Sequence, residues 1–339
     1  MQALVFESPM KPVLRRLDVP EPAAGEALVK IAYNSICGSD LSLFKGVWHG
    51  FKYPIVPGHE WSGEVVATAA GVAADLIGRK VVGDLTCACG QCAACGRGED
   101  VLCQNLQELG FSRDGACAEY MTIPAANLHV LPADLDLRTA CQVEPMAVAL
   151  HAMEAIALAA GERVAVLGAG GIGLLLMTAA LSRGADVTVV SDPIPERRAV
   201  AAGCGARVVA AAGVGELARL IEGQEDLRPD VVFEASGYPS AVQEAIEIVR
   251  PGGRVCLVGY RTDEAGMSEP HMITVKALTL RGVLGPGGRF ADAISVLGRG
   301  DVNIEPLLTH EFGLADYETA LQLALSRGSG NIRSFFHVA

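Results

Sequence analysis

The sequence predicts an α/β protein in two parts: an irregular, β-rich first domain and, behind it, a doubly wound parallel sheet. Two observations carry this. The texture of the chain changes near residue 162, and a cluster of glycines there joins an apolar run to a helical one. Before the change, residues 3–6, 26–33, 63–68 and 80–83 are short apolar or alternating runs cut by Gly and Pro, as strands in a β-rich domain are. After it, strand patterns at 163–167, 187–191, 231–235, 254–258 and 278–283 alternate with helical ones at 172–182, 196–202, 215–222 and 239–249. Such alternation builds a parallel sheet with helices on both faces. The stretches 289–300 and 314–327 read as helices that return to the first domain. The expected boundaries are 1–146, 147–286 and 287–339.

Composition narrows the function. At roughly 150 residues per domain, 339 residues fit two domains, and 19% charged residues are too few for a disordered chain. A net charge of −12 argues against a basic surface for nucleic acid or anionic membrane, and leaves a small molecule as the expected partner. Residues 164–182 carry no charge and pass a hydropathy window, but four glycines from Gly168 to Gly173 suit a buried strand, turn and helix, not a membrane span. The N-terminus lacks a basic leader followed by an apolar core, so no secretory signal is expected. Ten cysteines in such a chain predict a cytoplasmic protein with reduced thiols, and the clustered ones predict metal.

Residues 164–173 read VAVLGAGGIG, with Gly168, Gly170 and Gly173 in G-x-G-x-x-G spacing between a strand and a helix. The first glycine permits the turn, the second lets a pyrophosphate approach the backbone, and the third lets helix and strand pack closely. Gly171 and Ile172 complete the turn. The next strand ends at Asp192, whose carboxylate can accept from the hydroxyls of an adenosine ribose and repel a 2′-phosphate. NAD is the expected cofactor, with Arg197 and Arg198 leaving NADP open.

Cys89, Cys92, Cys95 and Cys103 follow a C-x-x-C-x-x-C-x7-C pattern. Four thiolates so close can close a tetrahedral shell around a structural zinc. A zinc ribbon for nucleic acid would sit among basic residues, whereas Glu99 and Asp100 stand here.

Cys37-Gly38-Ser39-Asp40, Gly58-His59-Glu60 and Val143-Glu144-Pro145 are bland one by one. Taken with the cysteine lobe and the glycine turn, in this order, they make the chain resemble the medium-chain zinc-dependent alcohol dehydrogenases. The resemblance implies a GroES-like catalytic domain, a Rossmann-type cofactor domain, two zinc ions per chain and a homo-oligomer. It implies a catalytic zinc on Cys37, His59 and a carboxylate, with Glu144 favoured over Glu60 as the third ligand. A thiolate, an imidazole and a carboxylate leave a fourth position free for substrate. Ser39 matches the hydroxyl that takes the alcohol proton, Glu60 a carboxylate beside the metal, and Asp40 a residue that orients His59. Ser42 stands where the family's relay histidine is expected.

The carboxylate at Glu144 resembles the polyol and threonine dehydrogenase branch. The run 33–63, with VVGDLTCACGQCAAC, ELGFSRDGACAEYM and ASGYPSAVQEA, is more particularly similar to the 2-deoxy-scyllo-inosamine dehydrogenases of aminoglycoside antibiotic biosynthesis. That similarity implies oxidation of a secondary hydroxyl of an aminocyclitol to the ketone, with Trp48 and His49 covering the ring and Glu60 or Asp114 meeting the ammonium. The alternatives are a sorbitol-type polyol or threonine dehydrogenase, and, from another class, a catalytically inactive binding protein of the same fold. The intact set of Cys37, Ser39, His59 and glycines argues against the last.

Overall fold

The computed structural model describes all residues except 48–51, 212, 214, 260–265, 267, 268, 327–329 and 339. Among the described residues, six parallel strands form one sheet in the order Val208–Ala210, Asp186–Ser191, Arg163–Leu167, Val231–Glu234, Arg254–Leu257 and Thr279–Gly282. Strands one side of Arg163–Leu167 precede those on the other in a reversed order, so the sheet has a switch point beside that strand. Loops at the carboxyl ends diverge there and open a crevice. The middle strands are mostly apolar and almost wholly buried because both faces are covered. Helix Gly171–Ser182 has its own Leu174, Leu175, Leu176 and Met177 fully buried, and packs against helix Val143–Ala155. The uncharged run 164–182 is therefore strand, turn and core helix; no helix of the described residues is long and apolar enough to cross a membrane.

The first part is a sheet of seven strands. Leu308–Gly313, Arg333–His337, Glu26–Ser35, Glu60–Thr68, Lys80–Gly83 and Leu128–Val130 lie in that order, and Tyr120–Pro124 pairs along the other part of Glu26–Ser35. Trp61, Ile31 and Ile123 are fully buried in its core. Both expected helices of the tail are present: Phe290–Gly298, which packs on Val143–Ala155, and Tyr317–Leu325, preceded by a short 3₁₀ turn, Leu314–Asp316. Two strands, Leu308–Gly313 and Arg333–His337, accompany them and complete the first sheet. Arg-Ser-Phe-Phe-His is short and does not alternate, and one of its two partners, Glu26–Ser35, is nearly the whole chain away, so local pattern does not reveal the pairing.

Candidate functional site

Two antiparallel strands bring the first ligand set together. Ser35, at the end of Glu26–Ser35, pairs with Glu60, at the start of Glu60–Thr68. Cys37 follows the first strand end and His59 precedes the second strand, so both side chains emerge at one edge. Helix Gly38–Lys45 begins there, with Cys37 as its N-cap, and Asp40 serves both ligands. Asp40 Oδ2 accepts from the N–H of Cys37 at 2.8 Å, and its Oδ1 lies 3.4 Å from His59 Nδ1. That leaves His59 Nε2 facing the cleft, 3.4 Å from Ser39 Oγ. The Phe111 ring closes one side of the imidazole at 4.9 Å.

Donor atoms of Cys37, His59 and Glu60 all lie within 4.8 Å of one another. Glu144 stands outside that group, although it lines the same cleft from the first turn of helix Val143–Ala155. The structure thus brings Glu60, and not the favoured Glu144, nearest to Cys37 and His59. The reason is Arg333, whose Nη1 donates to both Glu60 oxygens at 2.9 and 2.7 Å and holds the carboxylate in place. Burial pushes the Glu144 carboxyl up to about 8, against the pull of His59. For His59, burial disfavours the charged ring, but Asp40 and Cys37 outweigh it and hold the imidazole well above its usual value. Burial raises the Cys37 thiol. A thiol, an imidazole with its far nitrogen already engaged, and carboxylates kept from water are a donor set that a zinc ion fits.

The second set lies in the lobe. Sulfurs of Cys92 and Cys95 are 3.4 Å apart, those of Cys92 and Cys103 3.9 Å, and those of Cys89 and Cys95 4.0 Å. Zinc–sulfur bonds of about 2.3 Å in a tetrahedron require sulfurs roughly 3.8 Å apart. The N–H groups of Cys89 and Asn105 donate to Cys103 Sγ at 3.3 and 3.4 Å. N–H groups at Cys95 and Gln104 lower the Cys92 thiol to about 6. A zinc ion held by all four sulfurs would have no open position.

The glycine turn has the predicted geometry. Gly168 has φ +99°, and a Cβ on Gly173 would lie 1.8 Å from the Gly168 carbonyl oxygen, so no side chain fits there. Gly170 caps helix Gly171–Ser182, whose first N–H groups face the crevice. A Cβ on Gly171 would lie 2.5 Å from Arg333 Nε. The Nε and Nη2 of Arg333 are buried without a hydrogen-bond partner, beside that helix start. Orphaned guanidinium donors over an N-terminal turn fit the phosphates of a dinucleotide. Arg333 was not among the residues the sequence nominated; no motif surrounds it, and only the strand pairing brings it here.

Asp192 ends its strand 4% exposed, with Oδ2 accepting from Ala169 N and Oδ1 from Ile194 N, each at 2.9 Å. Arg197 Nη1 is 3.8 Å from Oδ2, while its Nε and Nη2 donate to the Asn331 carbonyl. Arg198 donates to the carbonyls of Asp192 and Pro193. One cleft of about 1170 Å³ runs from Cys37, Ser39 and His59 to Gly168, Ile172 and Asp192. That exceeds the usual range for one small ligand and accommodates a dinucleotide together with a substrate.

Two expected substrate contacts are not where they were placed. Asp114 is not among the residues that line the cleft; its Oδ1 accepts from Val56 N at 2.9 Å and holds a loop. Glu60 is neutralised by Arg333 and so does not offer a free charge to an ammonium. Trp48 and His49 lie outside the described residues.

This arrangement is suited to alcohol oxidation. When bound, zinc acts as a Lewis acid that lowers the pKa of an alcohol at its open position. Cys37, His59 and a carboxylate would hold the ion, Asp40 lies against the imidazole, and Ser39 Oγ, 3.4 Å from His59 Nε2, would be in place to take a proton from a hydroxyl there. The turn at Gly168–Gly173 with Arg333 would orient a dinucleotide in the same cleft.

Comparison with known proteins agrees. Residues 23–133 match the alcohol dehydrogenase GroES-like domain, and residues 171–299 match the zinc-binding dehydrogenases. The chain is 34% identical to the L-threonine 3-dehydrogenase of Pyrococcus furiosus, over 94% of this chain and 93% of that one. It is 32% identical to the L-galactonate-5-dehydrogenase of Escherichia coli, over 93% and 92%. An alcohol dehydrogenase from E. coli, solved with NADH, superposes with a TM-score of 0.93 at 28% identity, covering 99% of each chain. A zinc-binding dehydrogenase of Sinorhizobium meliloti, bound to NADP, does so equally well at 28% identity, covering 99% and 98%. The chain belongs to the NAD(P)-dependent, zinc-binding medium-chain alcohol and polyol dehydrogenases, in which a GroES-like domain carries the metal and a Rossmann-type domain the dinucleotide.

Proposed function

We propose that this enzyme oxidises one secondary hydroxyl of 2-deoxy-scyllo-inosamine to the ketone. The hydride passes from the carbinol carbon to the nicotinamide of NAD, and the hydroxyl proton passes to Ser39 and out to solvent. The observation that carries the reading is the run 33–63, which surrounds both Cys37 and His59 and resembles the aminocyclitol dehydrogenases. In this reading Cys37, His59 and Glu144 ligate the catalytic zinc. Both oxygens of Glu60 are already held by Arg333, whereas the carboxylate of Glu144 has no donor among the described residues and regains its charge beside a dication. Cys89, Cys92, Cys95 and Cys103 hold the structural zinc, and Gly168, Gly170, Gly171, Ile172, Gly173, Asp192 and Arg197 hold the cofactor. The chain acts as a homo-oligomer.

Oxidation of L-threonine is the second reading, favoured by the 34% identity to threonine dehydrogenases. A substrate panel separates the two. The aminocyclitol, L-threonine, sorbitol and simple alcohols are each offered with NAD and with NADP, and reduced nicotinamide is followed by absorbance. Turnover highest with the aminocyclitol supports the first reading. Turnover highest with threonine replaces it by the second.

A further inference from the structure

The cleft carries an acidic side chain that neither zinc set nor the dinucleotide turn uses. Glu108 stands in the short strand Gln107–Glu108, opposite Thr86, and both residues line the cleft. Its main chain is firmly held. The Glu108 N–H donates to Ser112 Oγ at 2.8 Å, and its carbonyl accepts from the N–H groups of Phe111, Ser112 and Arg113 at 3.2, 3.0 and 3.1 Å. The loop that grips it also carries Phe111, whose ring packs on His59, so Glu108 is tied to the part of the cleft beside that histidine.

The carboxylate on this support has no partner. Among the described residues no group donates a hydrogen bond to it and no cation lies within 4.0 Å; Lys45 also lines the cleft but forms no pair with it. Burial pushes its carboxyl up, and the charge that faces it is that of His59. Of the other acidic groups beside Cys37 and His59, Glu60 is bound to Arg333 and Asp40 to Cys37 N and His59, while Glu144, which has no donor among the described residues, is assigned to the metal in the proposed function. Glu108 is half-buried on the cleft wall, so its carboxylate is open to a cation that enters the cleft. A cation that enters beside a hydroxyl under oxidation belongs to the substrate.

We infer that Glu108 binds a primary ammonium on the substrate and thereby selects amino alcohols over neutral polyols. This inference deepens the proposed function and rests on it. An ammonium donates to the carboxylate in a charge-assisted bond, whereas a hydroxyl in its place leaves the charge unmatched. The rigid loop sets the distance between the amine and the carbon that loses hydride.

The test compares wild type with Glu108→Gln, each on 2-deoxy-scyllo-inosamine and on L-threonine. Each amino alcohol is matched with a neutral counterpart carrying hydroxyl for amine. Wild type prefers the aminated member of a pair. In Glu108→Gln the KM for that member rises roughly tenfold to a hundredfold, the size of a charged hydrogen bond. Its kcat and both constants for the neutral member change little. Glu108→Asp retains part of the preference, and NADH binding with unchanged zinc content shows that each variant is folded. If wild type prefers the amine and Glu108→Gln keeps that preference, the inference falls while the proposed substrate stands. If wild type oxidises neutral polyols and neither amino alcohol, the substrate reading fails and takes the inference with it.

Discussion

Nη1 of Arg333 donates to both carboxylate oxygens of Glu60, at 2.9 and 2.7 Å, while the rest of the guanidinium faces Gly171 at the start of the cofactor helix. A single residue of the last strand thus touches the metal edge and the phosphate turn together. The pairing follows from topology. Arg333–His337 lies against Glu26–Ser35, with Ile36 N donating to Ser334 O at 2.8 Å, and Glu26–Ser35 lies against Glu60–Thr68.

Both members of this pair are buried, and removing one strands the other. Glu60→Ala leaves an uncompensated guanidinium in the core, which costs about 3–5 kcal/mol. Urea unfolding of wild type, Glu60→Ala and the double variant Glu60→Ala/Arg333→Met measures it. The double variant recovers much of the loss because it removes both charges. Equal stability of Glu60→Ala and wild type would show that the pair does not hold the seam.

Metal content separates the two cysteine sets. Purified enzyme carries about two zinc ions per chain. Cys95→Ser loses one of them and melts at a lower temperature, because the lobe of residues 89–103 has little apolar surface to hold it without metal. Cys37→Ala loses the other, abolishes turnover, and leaves the melting temperature and NADH binding close to wild type. Unchanged zinc and melting in Cys95→Ser would sink the structural-site reading.

What was legible in the chain was what short spacing encodes. The glycine turn and the cysteine lobe are local, and each glycine or thiolate owes its role to neighbours within a few residues. The parallel sheet was legible too, since alternating apolar runs and helices imply it, but its short edge strand Val208–Ala210 was not among those expected. Arg333 was illegible because Glu60 lies 273 residues away and only sheet pairing unites them. Helix Gly38–Lys45 was missed for another reason: it is short, and its cap is a thiol with Asp40 reaching back to the Cys37 N–H, not the usual hydroxyl. Glu108 belongs to no motif, and only its pairing with Thr86 and the three N–H groups on its carbonyl show where it is held on the cleft wall.

Acid sensitivity has an identifiable contributor at the foot of the parallel sheet. Burial alone would raise the Asp230 carboxyl, but Arg163, through side chain and N–H, and Arg250 hold it well below the usual carboxylate range. A carboxyl with its pKa depressed on folding stabilises the native state above its unfolded value, about 3.8, and loses that contribution as pH falls toward its folded value. Asp230→Asn is therefore less stable than wild type at pH 7, by about 1–2 kcal/mol given the partly exposed arginines. The gap closes below about pH 4. Urea midpoints of both proteins from pH 7 down to pH 3 test this. A constant gap over that range would remove Asp230 from the acid response.

Cofactor choice turns on Asp192. Its carboxylate ends the second strand of the parallel sheet, is held by Ala169 N and Ile194 N, and lines the cleft where the adenosine ribose of a dinucleotide belongs. It can accept from both hydroxyls of NAD, but it meets the 2′-phosphate of NADP with like charge. A charged hydrogen bond of about 1.5–3 kcal/mol corresponds to roughly a tenfold to hundredfold preference for NAD. Arg197 is the cation nearest to the change, 3.8 Å from Asp192 Oδ2, with its other nitrogens on the Asn331 carbonyl. Arg198 stays on two backbone carbonyls and is less free to move. Asp192→Ser removes the repulsion and releases Arg197 Nη1 toward a phosphate, so NAD weakens while NADP improves. Asp192→Ser/Arg197→Ala loses the NADP gain but not the NAD loss, which separates repulsion from attraction. The quantity to compare is kcat/KM for each cofactor in wild type and both variants. A wild type that already favours NADP, or a preference that does not move in Asp192→Ser, would place the ribose elsewhere.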